Sequence, residues 1–181
     1  LEQVLRDALG DRLIVEPGWA DRGTGGTMGD IWGVMIHHTG NANESVALIR
    51  DGRSDLAGPL SQCLIKPDGK CHLIAVGPCN HAGIGSYPGL GANNGNRRLI
   101  GFECCWPTPR PDLPQGYDPN ERWTTPLIIT MRDATAAVLA SLLVLAGLGT
   151  LAGPIAAAQA ISDAPRGTVN GSELWACLTC L

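Results

Sequence analysis

Residues 31–39 read Ile-Trp-Gly-Val-Met-Ile-His-His-Thr, an apolar run that ends on two histidines. A run so short and so apolar reads as a buried strand rather than a helix. Side chains alternate across a strand, so His37 and His38 face opposite sides of the sheet. One of them can enter a site on the sheet while the other packs or meets solvent. A strand-end histidine is most often structural. Two in succession, followed by Thr39 and joined by polar groups at other strand ends, shift that balance towards function.

The second such polar group is Glu103. It lies within residues 99–106, Leu-Ile-Gly-Phe-Glu-Cys-Cys-Trp, otherwise a buried strand. A carboxylate there is costly unless it is paired, hydrogen-bonded or near a metal. Arg97 or Arg98 would be its structural partner. The functional alternative is a general base held in apolar surroundings.

Between these strands, residues 62–66 and 70–75 read as two more, joined by Pro67-Asp68-Gly69. Asp-Gly in a tight connection is a hairpin signal. Residues 77–96 are rich in Gly, Pro and Asn and read as a long, shaped loop. His81-Ala82-Gly83 opens it, where a histidine can line a groove or serve the loop's own structure. Residues 107–121 hold five prolines and read as an irregular surface loop.

Helical spacing appears in three places. Residues 2–9 are amphipathic, with Val4, Leu5, Ala8 and Leu9 apolar. Residues 44–51 follow a candidate cap at Asn43 and stop at Gly52. From Pro126 onward Met131, Ala134, Val138, Leu142 and Leu145 recur at helical intervals. Residues 134–162 carry no charged side chain, long enough to cross a bilayer. Gly147, Gly149, Gly153 and Pro154 interrupt the run and no Lys/Arg cluster flanks it. A buried core helix followed by a loop is the expectation, not a membrane span. Strands mixed with helices predict an α/β fold, a mixed central sheet flanked by helices, in one domain over residues 1–181.

Composition narrows the partners. The net charge is −4, and basic residues occur only in small groups such as Arg50/Arg53 and Arg97/Arg98. Nucleic acid is excluded as an expected partner, since phosphate binding needs clustered positive charge. Seven cysteines are an odd number, so at least one stays free or bridges to another chain, and a core of this size does not demand a disulfide framework. Cys177-Leu178-Thr179-Cys180 has metal or redox spacing but no second pair. The opening residues carry charge throughout and no apolar core, so no signal peptide is expected.

The motifs in their order resemble the type-2 N-acetylmuramoyl-L-alanine amidases, which share their fold with peptidoglycan recognition proteins. They are Gly-Val-Met-Ile-His-His-Thr-Gly at 33–40, the hairpin at 60–70, His-Ala-Gly at 81–83, and Arg-Arg-Leu-Ile-Gly-Phe-Glu-Cys-Cys-Trp-Pro at 97–107. The likeness extends through residues 129–142. It is clearest over 30–145, and it is nearest to amidase modules of endolysins from phages of actinobacteria.

That resemblance implies a zinc-dependent hydrolase that cuts between N-acetylmuramic acid and L-alanine. It implies His37 as a zinc ligand, Glu103 as the base that activates water, and His81 as a groove histidine. Ser61 stands where many members have a tyrosine, and Trp106 and Tyr87 are placed to line the groove. The family's second zinc histidine follows the long helix, where this chain has Gly153-Pro154. Asp163 falls near the third ligand. Residues 146–181 depart from the pattern. The implied partner is bacterial peptidoglycan, met by a monomer that stays in the host cytoplasm until lysis. Two other readings stand beside this one: a catalytically impaired peptidoglycan-binding module of the same fold, and a thiol hydrolase using Cys104 or Cys105.

Overall fold

The run that ends on the two histidines forms a strand in the computed structural model, which describes residues 1–145 and the backbone of 174–177. In chain order the elements are α1 (Glu2–Leu9), β1 (Leu13–Val15), β2 (Gly33–His38), α2 (Val46–Asp51), β3 (Gly52–Arg53) and β4 (Leu56–Ala57). There follow β5 (Cys63–Ile65), β6 (Cys71–Leu73), β7 (Ser86–Tyr87), β8 (Gly91–Ala92), α3 (Gly95–Arg98), β9 (Leu99–Cys104), α4 (Thr125–Leu145) and β10 (Leu174–Cys177).

Six strands build the main sheet in the order β1-β6-β5-β9-β2-β10. It is mixed, as expected: β5, β9 and β2 run parallel, while β5–β6 and β2–β10 are antiparallel. The apolar runs are near-continuous because both faces of the central strands are covered. Val34, Ile36, Ile100, Phe102, Cys63 and Ile65 alternate onto one face and join Leu5, Leu9, Leu127, Ala134, Val138 and Leu139 of α1 and α4. On the other face Met35, Leu90 and Leu99 form a smaller cluster with Trp32, Ala82 and Tyr87. Each Val, Leu, Ile, Met or Phe among them, taken fully from water, stabilises the fold by about 1.5–3 kcal/mol.

The hairpin turn forms at Pro67-Asp68-Gly69, with Gly69 at φ +83°. Its carbonyls receive α4: Thr130 Oγ1 donates to Gly69 O at 2.7 Å, and Thr124 Oγ1 donates to Pro67 O. Although α4 has the length and apolarity of a membrane-crossing helix, Leu127, Ala134 and Leu139 are buried against the sheet.

Three expectations change. Ser45, not Asn43, caps α2, its Oγ accepting from Leu48 N at 3.1 Å. Asn43 is held in the preceding turn, its N–H donating to Asn41 Oδ1 at 3.0 Å. The loop over 77–96 contains a small hairpin, β7–β8, and one turn of helix, α3. The two arginines before β9 are not placed to serve Glu103. Arg97 donates to Thr27 O, and Arg98 donates to Asp30 O, Gly89 O and Leu90 O. These bonds lie at the opposite end of β9, roughly 13 Å along the strand from residue 103. The five cysteines among the described residues are free thiols.

Candidate active site

Parallel register pairs His37 with Glu103, and Glu103 in turn with Leu64 of β5. Residues opposite one another in a ladder share a face, so the imidazole and the carboxylate project on the same side of the sheet. Both stand at the C-terminal ends of parallel strands, where open α/β sheets form their ligand crevices. The ladder continues past the strand ends: Thr39 N donates to Cys104 O at 3.1 Å, and Gly40 N to Trp106 O at 2.8 Å. That extension fixes the rim of the crevice.

His81 comes to the same face from the loop. Its Nδ1 lies 3.3 Å from Nε2 of His37, with the two rings nearly perpendicular. The ring rests over Gly101, where a Cβ would stand 3.0 Å from His81 Nδ1 and 3.0 Å from Ser61 Oγ. A side chain at 101 would therefore displace the histidine. Glycine inside a strand often marks such a close approach. Gln62, fully buried, spans the gap beneath: its Oε1 accepts from Gly101 N at 2.7 Å and its Nε2 donates to Gly77 O at 3.0 Å.

Burial holds both imidazoles in the neutral form. It lowers the His37 pKa to about 4, with His38 adding repulsion. It lowers the His81 pKa to about 3, with His37 adding repulsion. A neutral imidazole has one donor and one acceptor nitrogen, so the pair shares one hydrogen bond. A neutral imidazole is also the form that ligates metals.

The expected site residues separate into groups. His37, His81, Ser61 and Glu103 are brought together on one face, with Ser61 fully buried as part of the floor. Tyr87 packs edge-on to Trp32 at 5.3 Å, in the apolar cluster on that same face. Trp106 packs on His38 at 5.4 Å, with Trp123 at 5.7 Å and Tyr117 at 6.5 Å. Because His38 alternates away from His37, that aromatic group flanks the site from the other face. Asp163, Gly153-Pro154 and the side chains of Cys177 and Cys180 lie outside the described residues. Gly101 and Gln62 are participants that motif reading passed over.

A profile of the N-acetylmuramoyl-L-alanine amidase family matches residues 27–158. The chain belongs to that family. The match spans β2, the loop of His81, β9 and α4, so the polar residues gathered here sit within the family's own framework. Two solved structures are similar. One is the endolysin N-acetylmuramoyl-L-alanine amidase LysCS from Clostridium intestinale, at 16% identity and TM-score 0.45, covering 72% of this chain and 74% of that one. The other is a selenomethionine derivative of AmpD, at 17% identity and TM-score 0.44, covering 73% of this chain and 79% of that one. No curated protein matches the chain.

Zinc is the ion this amidase family implies. Among the described residues no three His, Cys, Asp or Glu side chains gather closely enough to hold a metal. His37 Nε2 lies 3.3 Å from His81 Nδ1. The described residues therefore do not by themselves fit a zinc centre.

Proposed function

We propose that this chain hydrolyses the amide bond between N-acetylmuramic acid and L-alanine in bacterial peptidoglycan, with Glu103 as the general base. The observation that carries this reading is the shared face of His37 and Glu103 at the C-terminal ends of paired strands, in a chain of the amidase family.

In the proposed reaction a water molecule gives its proton to the Glu103 carboxylate as its oxygen adds to the lactyl carbonyl carbon. The C–N bond then breaks, and Glu103 returns the proton to the departing amine of L-alanine. One amide and one water become one carboxylic acid and one amine, with Glu103 restored. His81 borders the groove beside His37. Tyr87 borders the groove on the same face and Ser61 forms its floor, while Trp106, packed on His38, backs the strand end from the other face. We also propose zinc as a cofactor, with His37 and Asp163 among its ligands. The neutral imidazole of His37 and family membership support that assignment. An endolysin-type monomer held in the host cytoplasm until lysis and acting at the cell wall, with α4 as a core helix, fits the same reading.

The test is digestion of purified peptidoglycan followed by labelling of new amino termini. New L-alanine termini are expected. Retention on the wall with no new amines would replace the hydrolase by a binding module. Zinc content, measured by elemental analysis, is expected to fall in His37→Ala and in Asp163→Ala. Unchanged content in both variants would remove those ligand assignments.

A further inference from the structure

Asn96 lies in the one-turn helix α3, outside every role assigned above. Its Oδ1 accepts hydrogen bonds from two successive backbone N–H groups, His81 at 3.0 Å and Ala82 at 2.7 Å. Its Nδ2 donates to Asn80 Oδ1 at 3.4 Å. One side chain thus grips three consecutive residues of the loop that carries the site histidine. Gly95 permits the approach, since a Cβ there would stand 2.3 Å from the Cβ of Ala82. Gly101, in the strand that follows, leaves room for the His81 ring. A single stretch, residues 95–103, therefore anchors the backbone of His81, seats its imidazole and carries Glu103.

We propose that Asn96 is a positioning residue that sets the imidazole of His81 against His37. Its effect on turnover rests on the amidase reading; its effect on the ring does not. Without the acceptor, the Ala82 N–H loses its partner and the His81 N–H keeps only its bond to Cys79 O at 3.1 Å, and a part-buried N–H left unsatisfied is costly. The loop relaxes towards other partners, and the ring moves with it. A displacement of about 1 Å in a catalytic group costs on the order of 100-fold in rate.

The experiment compares Asn96→Ala, Asn96→Asp and Asn96→Gln in the full chain. Aspartate keeps an acceptor at the same reach, alanine removes it, and glutamine displaces it by one methylene. Three quantities are read: imidazole nitrogen–proton NMR correlations of His81 and His37, kcat and KM for amine release from peptidoglycan, and Tm. Asn96→Ala is expected to shift the His81 ring resonances and to lower kcat about 10- to 100-fold, with KM within about twofold. Asn96→Asp is expected to restore the ring resonances and most of kcat. In a His81→Ala background, Asn96→Ala should cost nothing further.

Ring resonances that stay in place in Asn96→Ala and Asn96→Gln overturn the proposal. So does an Asn96→Asp that falls as far as Asn96→Ala, or a loss that simply adds to that of His81→Ala. Should the unmodified chain release no amine, the amidase reading fails and the ring resonances alone decide Asn96. If Asn96→Ala does not fold, Asn96→Asp against Asn96→Gln supplies the same comparison.

Discussion

His37 stands directly opposite Glu103 in the parallel ladder of β2 and β9. Two polar side chains at the covered end of a sheet are costly to place there, and the shared face gives them one cleft to serve. Replacing Glu103 by glutamine keeps the shape and removes the base. Amine release is expected to fall by about 10²- to 10⁴-fold, the usual contribution of a positioned general base. Thermal unfolding should stay close to that of the unmodified chain. A variant that retains full rate would remove Glu103 from the chemistry.

Gly101 tests the seat of His81. A methyl group at 101 would meet His81 Nδ1 and Ser61 Oγ, each 3.0 Å away. Ser61 and Gln62 are fully buried and cannot retreat without disturbing the floor, so the ring is the part that moves. Gly101→Ala should lower turnover by an order of magnitude or more, and overpacking should destabilise the fold by about 1–3 kcal/mol. The measurements are amine release and denaturant unfolding. Unchanged values for both would mean that the ring has slack the close packing denies.

The free thiols give a prediction against thiol chemistry. Cys63, Cys71, Cys79 and Cys104 have no exposed surface, and Cys105 is 3% exposed. Burial raises the Cys79 pKa to about 12 and pushes Cys63, Cys104 and Cys105 upward as well. The reactive thiolate is therefore scarce at neutral pH. In a chain carrying Cys177→Ser and Cys180→Ser, a thiol reagent such as 5,5′-dithiobis(2-nitrobenzoate) should label none of these five when folded and all five in denaturant. Rapid labelling of Cys104 or Cys105 in the folded chain, with loss of activity, would restore the thiol-hydrolase reading.

Much of the sheet was legible because its central strands are short apolar runs with polar ends, a pattern that burial on both faces requires. The relation of His37 to Glu103 came from the family resemblance alone, because alternation fixes the faces within one strand but not between two. Only the register joining residues 66 positions apart settles it. The cap of α2 falls on Ser45 rather than on the expected Asn43. Local hydrogen bonding decided it, since the Asn41 side chain holds the Asn43 N–H in a turn and leaves Ser45 to meet Leu48 N. Arg97 and Arg98 looked like partners for Glu103 because they are near in sequence. A strand carries its residues apart at about 3.3 Å each, and the two arginines reach sideways to loop carbonyls instead. Gly101 was visible as a glycine inside a strand, but what approaches it comes from a loop whose path the sequence leaves open.

Asp133 supplies a pH test of the helix–sheet junction. Burial disfavours its charge, yet hydrogen bonds from Arg12 and Arg132 outweigh that effect and hold its carboxyl below the ordinary value of 3.8. Arg12 Nη2 lies 2.7 Å from Asp133 Oδ2, and Arg12 Nη1 donates to Thr130 Oγ1 at 3.0 Å, tying α4 to the segment before β1. The folded pKa is lower than the unfolded one, so the unfolded chain binds the proton first as pH falls. The pair's contribution is therefore full well above pH 3.8 and fades as acid takes the carboxylate through its depressed folded value. Asp133→Asn should cost about 1 kcal/mol at pH 7, in the range of a partly exposed ion pair. The gap between variant and unmodified chain should narrow steadily below pH 4, as read by denaturant unfolding across that range. A gap that is constant from pH 7 to pH 2.5 would mean that Asp133 acts through packing or neutral hydrogen bonding rather than through its charge.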